Sequence, residues 1–453
     1  VFDGSGAADT RFIGNSGSVT TFDSLSLTAM TGTTIVSSAD SFVLGGNSTT
    51  VSTVRVGAGG LALNGSIVAL NQGTGSTQGS RLVLDGDVTT TGSAASSISK
   101  VGGSINKADV ELSSTAGDHV RTFDIGGGGA DLTVGVAITN GAATNGGIVK
   151  EGAGVLILTG ANTYTGNTTV SEGVLTIATT GALPGWDTSG RYSVASGATL
   201  AVRNAVTDGN VTTMLTTTNF AAGSSIGFDT STANRTYALT LENTAQGSLG
   251  LTKLGANNLV LTGPNTYSGE TNVLQGALII NGDQSAASGA VVVSAGATLG
   301  GDGTVGGDTV ISGSLRVGSD IGAGTTGSLD FSSENLTFAN GSTWFIDIVG
   351  ATNDTLSGID ILSIDPGATL SFNFSGPTQQ SYTLATYGSR ANSNTFSGFE
   401  DGDVFSGYQI NYGSTSITLT AVPEPGTLAI LGLALSGLLL RRVLRRRARG
   451  GDF

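Results

Sequence analysis

Few side chains in this sequence are equipped for chemistry, and their spacing limits what they could do. His119 is the only histidine, so an imidazole zinc site is unavailable and any Ser-His-Asp relay must run through it. It follows Gly117-Asp118 and precedes Val120, the pattern of a solvated turn entering a strand. Glu400-Asp401-Gly402-Asp403, with Asp354 and Asp360, offer oxygen ligands of the kind calcium takes. The repeated aspartate turn of calcium-binding nonapeptides is missing, so solvated turns are expected and no metal is assigned. Carboxylate pairs could cleave glycosidic bonds if folding brought them together. Gly301-Asp-Gly303-Thr-Val-Gly306 spells a dinucleotide fingerprint. That chemistry needs a helix N-terminus, and Gly307 to Ile311 reads as turn and strand instead. Tyr164 and Tyr267 are expected to pack over a coil corner, with a stacking platform for sugars as the functional alternative. No catalytic residue and no cofactor is assigned.

The elements that must carry these residues are β-strands. Glycine accounts for 73 of 453 residues and charged residues for only 11%. Short aliphatic runs punctuated by Gly, Asn and Asp describe many short strands with tight turns. The chain has no cysteine, which removes disulfides and thiolate metal sites and suits an exported protein. Six of the 19 Lys and Arg, and one of the 33 Asp and Glu, fall in residues 441–453. Residues 1–440 therefore hold 13 basic and 32 acidic side chains, a net of −19. So acidic a body repels phosphates, and nucleic acid is excluded as a partner. The chain begins at Val1, so no N-terminal address can be read.

An internal repeat organises the middle of the chain. Lys150-Glu-Gly-Ala-Gly-Val-Leu-Ile-Leu-Thr-Gly-Ala-Asn-Thr-Tyr-Thr-Gly-Asn-Thr168 recurs, with substitutions, as Lys253 to Thr271, and an upstream Phe-Asp recurs as Phe123-Asp124 and Phe228-Asp229. Within each copy Val155–Leu158 and Val174–Ile177 (or their counterparts) read as strands. Leu158 to Ile177 and Leu261 to Ile280 both span 19 residues. A strand returning on a strand after about twenty residues is one coil of a parallel β-solenoid. Gly-Ala-Thr-Leu phrases at residues 197–200, 296–299 and 367–370 extend the pattern.

These residues resemble two known families. Lys150 to Gly166 is similar to the autotransporter-associated β-strand repeat (Lys-x-Gly-x-Gly-x-Leu-x-Leu-x-Gly-x-Asn-x-Tyr-x-Gly). Lys253 to Gly269 departs from it at Asn257. The resemblance covers about two-thirds of the chain, with repeat cores at 150–177 and 253–280, and implies a right-handed parallel β-helix, without naming an activity. Val422-Pro423-Glu424-Pro425-Gly426, the apolar run Thr427–Leu440 and an Arg cluster follow in order at the C-terminus. This resembles a PEP-CTERM sorting signal, the tail recognised by exosortase, which is also grouped under an ice-binding label. It implies Pro423, Glu424 and Pro425 as the sorting motif. Arg441, Arg442, Arg445, Arg446, Arg447 and Arg449 are implied as a cytoplasmic stop-transfer flank.

The expectation is therefore an all-β, right-handed parallel β-helix with a short C-terminal transmembrane helix. Residues 1–421 form the repeat region, 422–449 the sorting signal and 450–453 a tail. The implied protein is exported and non-enzymatic, adhesin-like or part of an extracellular matrix. It passes through an inner-membrane-anchored precursor to the cell surface. An exosortase-type enzyme, the membrane and exopolysaccharide are its expected partners. The rivals are a polysaccharide-active enzyme on a β-helix scaffold and an autotransporter passenger, although no C-terminal barrel pattern is seen. Ice binding through flat Thr arrays is a further rival, but Val211-Thr-Thr-Met-Leu-Thr-Thr-Thr218 is too irregular for it.

Overall fold

In a computed structural model the described residues are 11–13, 19–22, 25–27, 41–46, 52–72, 80–101, 108–322 and 324–423. Strands stack almost entirely in parallel, and each returns to pair with the strand one coil earlier. Leu158 pairs with Ile177 and Leu261 with Ile280, so the coil of 19 residues expected from sequence is the coil that forms. Other coils are shorter or longer, from Leu299 against Leu315 to Leu25 against Leu61.

The reason for this stacking is the alternation of small aliphatic and polar residues along each strand. Ile98, Val134, Leu158, Ile177, Val202 and Phe228 stand on successive rungs of one ladder. All of them are buried, forming a continuous core along the solenoid axis. Each rung adds apolar area at about 25 cal/mol per Å² and pairs one more row of backbone groups. No coil can bury its own apolar side alone, so stability accumulates between neighbours.

Glycines fix the corners. Gly152 has φ +73°, and a Cβ placed there would lie 2.4 Å from the carbonyl oxygen of Ile125 in the coil below. Only glycine satisfies both the left-handed turn and the close approach.

Two features depart from a plain solenoid. A nine-residue helix, Asp208–Thr216, interrupts the stacking, and Thr207 and Asn210 close a reciprocal capping box at its start. The Thr-rich stretch 211–218 is thus mainly helical. At the C-terminal end, strands Ser381–Arg390, Val404–Phe405, Tyr408–Tyr412 and Ser416–Ala421 pair antiparallel and close the longest sheet.

The expected transmembrane helix is corrected. Among the described residues no helix is long and apolar enough to cross a membrane. The residues on which it was expected, beyond Pro423, lie outside the described ones. Sequence length already runs against it: as a helix, the 14-residue run Thr427–Leu440 would rise about 21 Å, against a hydrocarbon core of about 30 Å. The C-terminal membrane anchor, the membrane as a partner and the anchored precursor fall with it.

Candidate functional site

The side chains that define the repeat all point inward. Lys150 continues the inward phase set by Ile148, and Lys253 the phase set by Leu251. Each lysine takes a rung of a buried ladder, Lys150 between Phe123 and Val170, Lys253 between Phe228 and Val273. Both are 0% exposed. Lys150 Nζ donates to the carbonyl oxygens of Glu151 (2.7 Å), Gly152 (2.6 Å) and Glu172 (3.1 Å). Lys253 Nζ repeats the arrangement with Leu254 (2.9 Å), Gly255 (2.7 Å) and Gln275 (2.9 Å). The third acceptor in each set belongs to the next coil, so one ammonium ties two corners together. Burial lowers both pKa values to about 8. Glu172, Asp124, Asp131 and Glu151 oppose the shift at Lys150, and Asp229 opposes it at Lys253.

Asn162 and Asn265 serve as corner staples. Asn162 accepts from the Ile138 N–H (2.8 Å) and donates to the Ala182 carbonyl (2.6 Å), reaching the coil on either side. Asn265 accepts from the Leu241 N–H (2.6 Å) and donates to Gln284 Oε1 (2.5 Å), which in turn donates through Nε2 to Gly263. Tyr164 and Tyr267 are buried and share a hydrogen bond with Thr168 (2.5 Å) and Thr271 (2.7 Å). Burial raises the pKa of both phenols. Their rings are core, and no sugar can stack on them.

The other candidates are dispersed. His119 lies in the strand Asp118–Ile125, with Nε2 3.2 Å from Thr115 Oγ1 and 3.3 Å from the Ala116 carbonyl, a local turn contact with no carboxylate partner among the described residues. Asp401 accepts from the Tyr412 N–H and Asp403 from the Glu400 N–H, so both are spent on an exposed turn. Asp360 is exposed, whereas Asp354 is 1% exposed, contrary to the expected solvated turn. Its carboxylate accepts from the N–H groups of Asp347 (2.8 Å) and Gly327 (3.1 Å), and burial raises its pKa to about 7. Among the described residues no group of three or more acidic or histidine side chains could hold a metal. A groove of about 590 Å³ beside the helix is lined by threonines, Leu215, Leu239 and Glu242, its single titratable group. Gly301–Gly306 lies between the strands Thr298–Gly301 and Thr309–Ile311, a solenoid corner without a helix. Of the sorting motif only Pro423 is described; Glu424, Pro425 and the six arginines lie outside the described residues.

Sequence reasoning missed the buried lysine. The signal was present in the alternation Ile148-Val-Lys150 and in the Phe-Asp repeat, whose phenylalanines prove to be the rungs beneath the lysines.

The passenger-associated-transport-repeat family matches residues 148–177 and 251–280. The PEP-CTERM protein-sorting motif matches residues 421–447. The chain carries both. A curated relative is the adhesin BmaC autotransporter of Brucella suis biovar 1, 34% identical over 178 residues, which is 38% of this chain and 5% of that protein. The chain thus spans a small fraction of that adhesin's length. Passenger repeats and a sorting signal make this a secreted or surface protein, and its recognised families are structural and sorting ones, not catalytic.

Proposed function

We propose that the protein is an adhesin-like or matrix-forming component outside the cell, associated with exopolysaccharide, and that an exosortase-type enzyme processes it at Pro423-Glu424-Pro425. Residues 1–421 act as the scaffold, 422–449 as the sorting signal and 450–453 as a tail. The observation that carries this reading is the inward consumption of every signature side chain of the repeat. Lys150, Asn162 and Tyr164, like Lys253, Asn265 and Tyr267, spend their polar atoms on neighbouring strands and corners. Such a repeat builds a surface for display, with its signature side chains turned inward. The division into scaffold and signal is supported by the last strand, which ends at Ala421, where the sorting match begins. The proline on each side of Glu424 disfavours helix and offers a processing enzyme an extended peptide. The similar adhesin's name supports a role in attachment.

The test is intact-mass spectrometry of the exported protein and of Glu424→Ala. The wild type should end near the motif, and the variant should keep its C-terminal residues and fail to co-fractionate with exopolysaccharide. Identical trimming of both would overturn recognition at Glu424. Trimmed protein that never co-fractionates with polysaccharide would overturn the matrix assignment alone.

A further inference from the structure

The last coil leaves one sheet edge open beyond Ala368, whose carbonyl accepts from the Ser397 N–H. The strand Thr369–Ser375 pairs in parallel with Thr343–Val349 on one side, and among the described residues no strand pairs with the other. The Thr369 N–H donates to the Ser342 carbonyl, and the Ser375 carbonyl accepts from the Gly350 N–H. Ladder alternation then directs the N–H and C=O of Ser371 and Asn373 to the inner strand, and those of Leu370, Phe372 and Phe374 to the open edge. Natural sheet edges are usually blunted by lysine, proline, a bulge or a covering segment. Thr-Leu-Ser-Phe-Asn-Phe-Ser carries no charge and no proline, in a body whose net charge is −19. The longest sheet, by contrast, is closed at this end by its antiparallel strands.

We propose that this edge pairs with the same edge of a second copy, as an antiparallel ladder about a two-fold axis through Phe372. The sequence is self-complementary in that register. Phe372 faces Phe372 and Leu370 faces Phe374, each as a hydrogen-bonded pair, so every outward N–H and C=O of those residues finds a partner. Thr369, Ser371, Asn373 and Ser375 face one another as polar pairs. A shift by one residue would set apolar against polar throughout, which fixes the register. The rings of Phe372 and Phe374 already pack under Phe399, Phe405 and Tyr408, with centroids 4.8–6.1 Å apart. The joint between copies would therefore be stiff. Because the edge lies at the end of the solenoid, pairing joins two rods at their C-terminal ends.

The chain has no cysteine, which permits a register-specific test on the full-length protein. In the proposed pair Ser371 lies opposite Asn373 of the other copy, within disulfide reach, whereas two copies of the same position lie diagonally at about 7–8 Å. Under mild oxidation, Ser371→Cys mixed with Asn373→Cys should give a cross-linked dimer at least tenfold more abundant than either variant alone. Light scattering should show a dimer for the wild type and at least tenfold weaker association for Ser371→Lys. A monomeric wild type would overturn the proposal. Equal cross-linking in all three samples, or association indifferent to Ser371→Lys, would place the contact elsewhere and overturn it as well.

Discussion

Phe123 lies directly beneath Lys150, paired with it Cα to Cα in one parallel ladder, and Val170 lies directly above. A cation thus occupies a rung that its neighbours fill with apolar side chains, and Lys253 repeats this above Phe228. Desolvating an ammonium is costly, and three carbonyl acceptors offset much of that cost. Removing the amine leaves those carbonyls unpaired at a corner. Lys150→Met, which keeps the apolar stem, should cost about 2 kcal/mol by urea denaturation. Lys150→Ala should cost about 2 kcal/mol more through the added cavity. Lys150→Met that matches wild-type stability would show that the rung, and not the tether, is what matters. Effects at Lys150 and Lys253 should add within about 0.5 kcal/mol, since their coils share no partner.

The same burial sets a pH profile. A lysine whose folded pKa is lowered to about 8 holds its proton less tightly when folded. The unfolded chain then binds more protons between about pH 8 and 10.5, and stability rises across that window. Asp354 has the opposite sign: its pKa is raised to about 7, so its contribution is full below about pH 4 and is lost as pH rises through 7. Above pH 10 the buried Tyr164 and Tyr267, with raised values, reverse the gain. The melting temperature should therefore pass through a minimum between pH 7 and 8 and a maximum near pH 10. The Lys150→Met, Lys253→Met double variant should flatten the alkaline limb and leave the acid limb intact. A monotonic profile for the wild type would contradict the assignment.

Much of this fold could be read from the sequence, and the reasons are local. The return of Leu158 on Ile177 follows from alternation and turn residues alone, and so does the inward phase of the aliphatics. The helix Asp208–Thr216 was hidden because threonines dominate it, and only the spacing of Thr207 and Asn210 marks its start. Asp354 reads as a solvated turn in the sequence, which cannot show that Gly327 and Asp347 aim their N–H groups at it. The roles of Lys150 and Asn162 depend on carbonyls twenty or more residues away, which composition and periodicity do not specify. The transmembrane helix rests on a family pattern alone, and among the described residues no helix is long and apolar enough to cross a membrane.

Asn162 connects three coils, so its loss should exceed that of an ordinary surface hydrogen bond. Asn162→Ala leaves the Ile138 N–H and the Ala182 carbonyl buried without partners and should cost about 3 kcal/mol. Asn162→Asp keeps the acceptor and loses the donor, setting a carboxylate against the Ala182 carbonyl. It should be at least as damaging at pH 7 and recover partly near pH 4, where the acid can donate. Equal stability of the two variants at both pH values would show that the amide does not bridge the coils.

Glycine corners allow strain and collision to be separated. Gly197 has φ +80° and open space around its added Cβ, whereas Gly152 has φ +73° with the Ile125 carbonyl oxygen 2.4 Å from that position. Gly197→Ala should therefore incur only the left-handed penalty, about 1 kcal/mol. Gly152→Ala must also push the two coils apart, and the Gly152 carbonyl it displaces is an acceptor for Lys150. Its cost should exceed that of Gly197→Ala by at least about 2 kcal/mol, with a further loss of amide-exchange protection at Gly154 and Ser171, whose N–H groups bond to the Ile125 and Lys150 carbonyls. The two alanine variants melting together would mean that the corner around Lys150 yields without resistance, and the tether between its coils would then have no structural weight.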